Sequence, residues 1–215
     1  LSLGGVYSNV LINVRDGIYT EQVKFNAIIG ADSNTRITYQ SESGDSSLVK
    51  ITSSLLTSTM NYLVSLDGAS GFTFNQISFY TDETYYATCL ELRNGAHYNS
   101  FTNCVFESNP SATTSTIGSL VRNESGTNDN HSLFSHCSFI NGSYGMYASG
   151  YGTYLNSERG TIVTDCQFVN QYYRGVYFRY QRNLVFSNNS ISSSTNYANG
   201  YFASQFLYIY GESRI

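Results

Sequence analysis

Phe74-Asn75-Gln76-Ile77-Ser78-Phe79, Phe101-Thr102-Asn103-Cys104-Val105-Phe106, Phe134-Ser135-His136-Cys137-Ser138-Phe139, Val163-Thr164-Asp165-Cys166-Gln167-Phe168 and Phe186-Ser187-Asn188-Asn189-Ser190-Ile191 superpose without a gap. Their common frame is apolar, polar, bend, small, polar, apolar. Successive starts lie 27, 33, 29 and 23 residues apart, a drifting period that fits coils carrying loops of unequal length. The first and fourth positions are three residues apart and the fourth and sixth are two apart, so one straight strand cannot turn all three inward. The backbone has to bend at the third position. That column holds Gln76, Asn103, His136, Asp165 and Asn188. Asn, Asp and His are the non-glycine residues that best tolerate left-handed backbone geometry, so the column reads as a corner between two strands.

A second strand-like run precedes each corner: Val64-Ser65-Leu66, Leu90-Glu91-Leu92, Leu120-Val121, Met146-Tyr147-Ala148 and Val176-Tyr177-Phe178. Each coil then carries about three short strands, and no coil can bury its apolar face alone, so the coils must stack. The expected fold is all-β, a single-stranded right-handed parallel β-helix of about eight coils over residues 1–215. Coils about 4.8 Å apart place Cys104, Cys137 and Cys166 in an internal ladder. Close Cys pairs, the usual mark of a soft-metal site, are missing, so the ladder reads as reduced core residues and no metal site is expected.

Composition agrees with this reading. Charged residues are 12% of the chain, against 20 Tyr and 13 Phe, and polarity comes from Ser, Thr, Asn and Tyr. A formal net charge of −4 without a Lys/Arg run gives no electrostatic footprint for nucleic acid or an anionic membrane. No apolar run has the length of a membrane span. An extracellular or cell-surface setting is expected.

The opening Val10-Leu11-Ile12-Asn13-Val14-Arg15-Asp16-Gly17-Ile18-Tyr19-Thr20-Glu21, followed by Ile28-Ile29-Gly30-Ala31, resembles the first coil of the pectin-lyase-like superfamily. There a strand leads into a Gly-Xaa-Tyr-Xaa-Glu element and then a strand ending in Gly. The resemblance implies the fold and leaves the activity open, because the superfamily includes lyases, polygalacturonases, pectin methylesterases, phage tailspikes and adhesins. Polygalacturonases of that superfamily carry an adjacent Asp-Asp pair for acid and base work, and this chain has none. Pectin methylesterases place aspartates in elements after the corner. The comparable stretches here, Phe139-Ile140-Asn141-Gly142-Ser143 and Phe168-Val169-Asn170-Gln171-Tyr172, hold no carboxylate. A lyase would need a basic residue beside acidic Ca²⁺ ligands, and Glu158, Asp165, Arg174 and Arg179 are the candidates for that quartet.

Aligning Gly145-Met146-Tyr147 with Gly175-Val176-Tyr177 sets Tyr147 and Tyr177 outward on neighbouring coils, with Arg179 on the same face. Stacked tyrosines at that spacing suit a sugar ring, although the β-propensity of Tyr alone would also place it there. The expectation is a non-catalytic β-helix module of a secreted or cell-surface bacterial protein, serving as a stalk, adhesin segment or carbohydrate-contacting surface. Its partners would be a polysaccharide or surface glycan and neighbouring coils or domains of a longer chain, with no cofactor. A lyase using Ca²⁺, or a trimeric phage tailspike, is the alternative. Gln205-Phe206-Leu207-Tyr208-Ile209-Tyr210 reads as the first strand of a further coil, with Phe206 opposite Val176. Leu1-Ser2-Leu3-Gly4-Gly5 reads as the tail of a capping helix, so the chain is expected to be part of a longer one.

Overall fold

The structure, a computed structural model, describes residues 4–54, 56–123, 128–150, 157–193 and 207–210. Three parallel seven-stranded sheets run along one axis. Sheet 1 contains Val10–Val14, Ile37–Ser41, Phe72–Asn75, Ser100–Thr102, Leu133–Ser135, Ile162–Thr164 and Val185–Ser187. Sheet 2 contains Gly17–Thr20, Val49–Thr52, Ser78–Thr81, Val105–Ser108, Ser138–Ile140, Gln167–Val169 and Ser190–Ser192. Sheet 3 contains Val23–Asn26, Val64–Asp67, Leu90–Arg93, Ser119–Asn123, Tyr144–Ser149, Arg174–Arg179 and Leu207–Tyr210. The chain visits the sheets in the order 1, 2, 3 and repeats, which makes a parallel β-helix. A small pair, Glu158–Arg159 with Gln181–Arg182, bridges two of the turns from sheet 3 back to sheet 1.

Among the described residues seven strands per sheet make seven turns, where about eight were expected. Leu207, not Phe206, pairs with Val176, so the expected alignment of the last strand is off by one residue. Phe206 itself lies outside the described residues. In a strand such a slip exchanges inner and outer faces. The opening coil forms its three strands, but Ile28-Ile29-Gly30-Ala31 closes a turn, with the Ala31 N–H donating to the Ile28 carbonyl at 3.1 Å, where a strand was expected. Leu1, Ser2 and Leu3, assigned above to a helix tail, are outside the described residues.

The first and sixth positions of the repeat build the core. Phe74, Phe101 and Phe134 stack along sheet 1 with centroids 5.3 and 4.8 Å apart. Phe79, Phe106, Phe139 and Phe168 do the same along sheet 2 at 5.0, 5.1 and 4.5 Å. All seven are buried. Parallel in-register pairing forces identical positions to sit one coil apart, so a Phe at one position is best followed by another.

Between the two Phe columns runs the corner. Gln76, Asn103, His136, Asp165 and Asn188 have φ of 57, 53, 54, 56 and 56°. The positive φ turns each N–H along the axis: Gln76 donates to the Thr102 carbonyl, Asn103 to Ser135, His136 to Thr164 and Asp165 to Ser187, at 3.0 to 3.2 Å. The bend therefore costs no backbone hydrogen bond.

Candidate functional site

The outer side of sheet 3 carries a continuous file of side chains. Register pairs Lys24, Ser65, Glu91, Arg122, Tyr147 and Tyr177 on six successive coils. Beside them lie Asn26, Asp67 and Arg93 at one end and Ser149 and Arg179 at the other. One end of the face is ionic. Lys24 reaches Asp67 at 2.5 Å, and the Asn94 amide donates to the same carboxylate at 2.6 Å. Together they hold Asp67 below the usual carboxylate range. Glu91 is buried and takes contacts from Arg122, from Arg93 at 3.4 Å and from the Ser65 hydroxyl at 3.4 Å.

The other end is aromatic. Tyr147 and Tyr177 stack at 5.0 Å with 12° between their planes. Tyr144 meets Tyr147, Tyr173 and Tyr177 edge-on at 5.6, 5.3 and 6.2 Å. Burial pushes the Tyr144 hydroxyl pKa up, so it stays neutral. The Arg174 guanidinium lies 4.7 Å from the Tyr173 ring and 5.2 Å from the Tyr177 ring, which gives cation–π contact to both.

The structure thus brings Tyr147 and Tyr177 together. Arg179 shares their strand face and hydrogen-bonds Tyr177, and its guanidinium also lies over Tyr180 at 4.5 Å and donates to the Tyr180 hydroxyl at 2.6 Å. Arg174 is a second cation beside the tyrosine pair. Sequence spacing overlooked it because it sits at the start of the strand, where the in-out alternation breaks: positions 175 and 176 are both buried.

The other candidates fall elsewhere. Cys104, Cys137 and Cys166 are free, buried and on the inner side of the corner. Their thiols donate to the carbonyls of Phe74, Phe101 and Phe134 at 3.4, 3.4 and 3.6 Å, which ties each coil to the one before. Burial raises the Cys137 thiol pKa, and Cys89, buried separately before Leu90, is raised for the same reason. The lyase quartet is not assembled. Asp165 occupies the corner between sheets 1 and 2, Arg174 and Arg179 belong to sheet 3, and Glu158 is wholly buried. Amide groups of Asn123 and Gln181 donate to the two Glu158 oxygens, and the Asp129 N–H donates at 3.3 Å. Burial lifts Glu158 to about 8, with the charge of Asp129 acting in the same direction. Asn141 and Asn170, in the stretches compared with the esterases, have φ of 65 and 61° and make the bend from sheet 2 to sheet 3. Among the described residues no group of three or more His, Cys, Asp or Glu is placed to hold a metal ion.

The coil geometry has a counterpart in known sequences: the family model described as a right handed beta helix region matches residues 41–212. The chain belongs to the right-handed β-helix family. Among solved structures, this β-helix is similar to a pectin methylesterase mutant in complex with a hexasaccharide, at 11% identity and a TM-score of 0.55, over 99% of this chain and 64% of that one. It is also similar to the pectin methylesterase of Erwinia chrysanthemi, at 12% identity and 0.51, over 99% and 63%. The deglycosylated enzyme of Aspergillus niger matches at 17% identity and 0.50, over 98% and 78%. At such identities the likeness is one of fold alone, and the β-helix spans just under two thirds of the first two chains. No curated protein matches the sequence.

Proposed function

We propose that the outer face of sheet 3 is a carbohydrate-contacting surface, carried by a non-catalytic β-helix module of a secreted or cell-surface protein. The observation that carries this reading is the Tyr147–Tyr177 stack at 5.0 Å, flanked by Tyr144, Tyr173 and Arg174. Tyr is rigid, with an apolar face for the C–H side of a pyranose and a hydroxyl for its edges. Rings repeated along the axis suit a linear glycan lying across the strands. The hexasaccharide bound by one similar esterase lends general support. The non-catalytic part rests on the carboxylates of this face: Asp67 is pinned by Lys24 and Asn94, and Glu91 by Arg93 and Arg122. Glu158, raised toward neutrality as a general acid would be, is sealed in the interior.

Affinity electrophoresis through gels containing polygalacturonate, methyl-esterified pectin or a neutral β-glucan tests the binding. Retardation by at least one polymer, relieved in Tyr147→Ala/Tyr177→Ala, is expected. Equal mobility of the two proteins in every gel would refute the reading. The same polymers, incubated with and without Ca²⁺ and followed for unsaturated or reducing ends, test the non-catalytic part, which any sustained turnover would overturn.

A further inference from the structure

A second aromatic feature lies at the turn from sheet 3 to sheet 1, away from the tyrosines of the proposed glycan face. Two residues before the pairing positions Thr73, Ser100, Leu133, Ile162 and Val185, the chain places Gly71, Tyr98, His131, Gly160 and Asn183 in one axial file. All five have positive φ: 75, 57, 61, 68 and 52°. Glycine and Asn accept that geometry readily and His tolerates it, whereas for a bulky Tyr it is a strained outlier. Two coils of this very file use Gly, so the fold does not require a side chain there. Keeping Tyr98 costs stability that Gly would not cost.

The two rings lie parallel, 4.9 Å apart and 2° from coplanar, on the outside of the coil, and Tyr98 is 37% exposed. A stack left open to water repays part of that strain at most. The His131 ring depends on the next coil having no side chain, because a Cβ on Gly160 would sit 2.3 Å from its Nδ1. Beside the rings opens a groove of about 350 Å³, bordered by Ser33, Arg36, Ser100 and Leu133 as well as by Tyr98 and His131. Arg36 shapes it. Its guanidinium donates to the carbonyls of Phe72 and Tyr98 at 2.9 and 2.8 Å and to the Thr73 hydroxyl at 2.8 and 2.9 Å. Those bonds fix the Tyr98 backbone and occupy four of the five guanidinium N–H donors. The hydroxyls of Ser33 and Ser100 make no hydrogen bond to other described residues, so the rim offers water-facing hydroxyls beside an aromatic wall.

We infer that this groove is a separate carbohydrate subsite, taking one neutral pyranose ring stacked on the Tyr98–His131 pair with its hydroxyls toward Ser33 and Ser100. Arg36 donates to neutral acceptors and keeps its charge, so the preference for a neutral sugar rests on the aromatic stack and not on that cation. The best-fitting sugars have all-equatorial substituents, which leave both ring faces apolar, as in β-linked glucose. The inference does not depend on the sheet 3 reading, because no residue is shared.

The test is an NMR titration with cellotetraose, following the ring protons of Tyr98 and His131. Progressive shifts of both rings are expected, with a Kd in the millimolar range typical of a single stacked sugar. Tyr98→Phe keeps the ring and should retain binding. Tyr98→Gly removes the ring and the backbone strain together, so affinity should fall about tenfold or more while Tm holds or rises. Tyr147→Ala/Tyr177→Ala should leave this titration unchanged, which separates its outcome from that of the sheet 3 face. Unshifted rings in the native protein would overturn the inference, and so would unchanged affinity in Tyr98→Gly. A fall in Tm for Tyr98→Gly would assign the rings to coil stacking and overturn it as well.

Discussion

Asn103 shows how a single backbone angle organises a coil. Its φ of 53° is open to Gly and closed to β-branched residues, so Asn103→Gly should be nearly neutral and Asn103→Val should destabilise by about 1 to 2 kcal/mol. Urea unfolding of the two variants checks this, and equal midpoints would count against a conformational role for the corner. Glu158 behaves differently. Its folded pKa of about 8 lies above the 4.5 of the unconstrained group. The unfolded chain therefore gives up the proton first as pH rises, and the stability this residue contributes below pH 4.5 is lost progressively up to pH 8. Glu158→Gln should flatten the stability profile across that window and be the more stable form at its alkaline end, as thermal melts at several pH values would reveal. A profile identical to that of the native protein would show that Glu158 does not titrate there. The bend at Asn103 was legible in the sequence because Asn, Asp and His recur at one offset from two apolar anchors. The burial of Glu158 was not, since its partners Asn123 and Gln181 lie 35 and 23 residues away and only the coil stacking brings them close.

Among the strands, the Phe columns are where sequence and energy coincide. Phe106 is enclosed by Phe79 and Phe139 at 5.0 and 5.1 Å and by Phe101 and Phe134 edge-on. Phe106→Ala should cost about 3 to 5 kcal/mol and Phe106→Leu distinctly less, because Leu refills most of the volume. Chemical denaturation resolves the difference, and a loss under 1 kcal/mol for the Ala variant would contradict a close-packed column. These columns could be read directly because from the third coil on the corner between sheets 1 and 2 is always two residues long, whereas the second coil inserts residues 42–48 there. The other two corners carry loops of unequal length. For that reason the file containing Tyr98 and His131 escaped a reading based on fixed offsets, although it bends in the same way. The ionic half of sheet 3 escaped for a related reason: Glu91 and Arg122 are 31 residues apart and become neighbours only through register. The final strand shows the limit from the other side, its position misjudged by one residue, with Val176 meeting Leu207.

The whole molecule is a stack in which each coil contacts mainly the coil above and the coil below, with no disulfide among its four cysteines. Protection should therefore vary along the axis. In hydrogen exchange, the amides of Phe74, Phe101 and Phe134 are expected to exchange slowest, and those of the first coil, whose inward residues Val10, Ile12 and Val14 are only half-buried, much faster. Uniform protection from the first coil to the sixth would indicate one all-or-none unit instead. The direction of the inter-coil hydrogen bonds also matters under load. All the ladders run parallel to the axis, and the polypeptide enters at one end of the stack and leaves toward the other. Tension applied through those ends meets the rungs one after another, as in a zipper, not side by side as in a sheared sheet. Each rung that yields frees a full turn of 23 to 35 residues along sheet 1, about 80 to 120 Å of extended chain. Pulled lengthwise, the rod is expected to act as a shock absorber that lets out slack in measured steps.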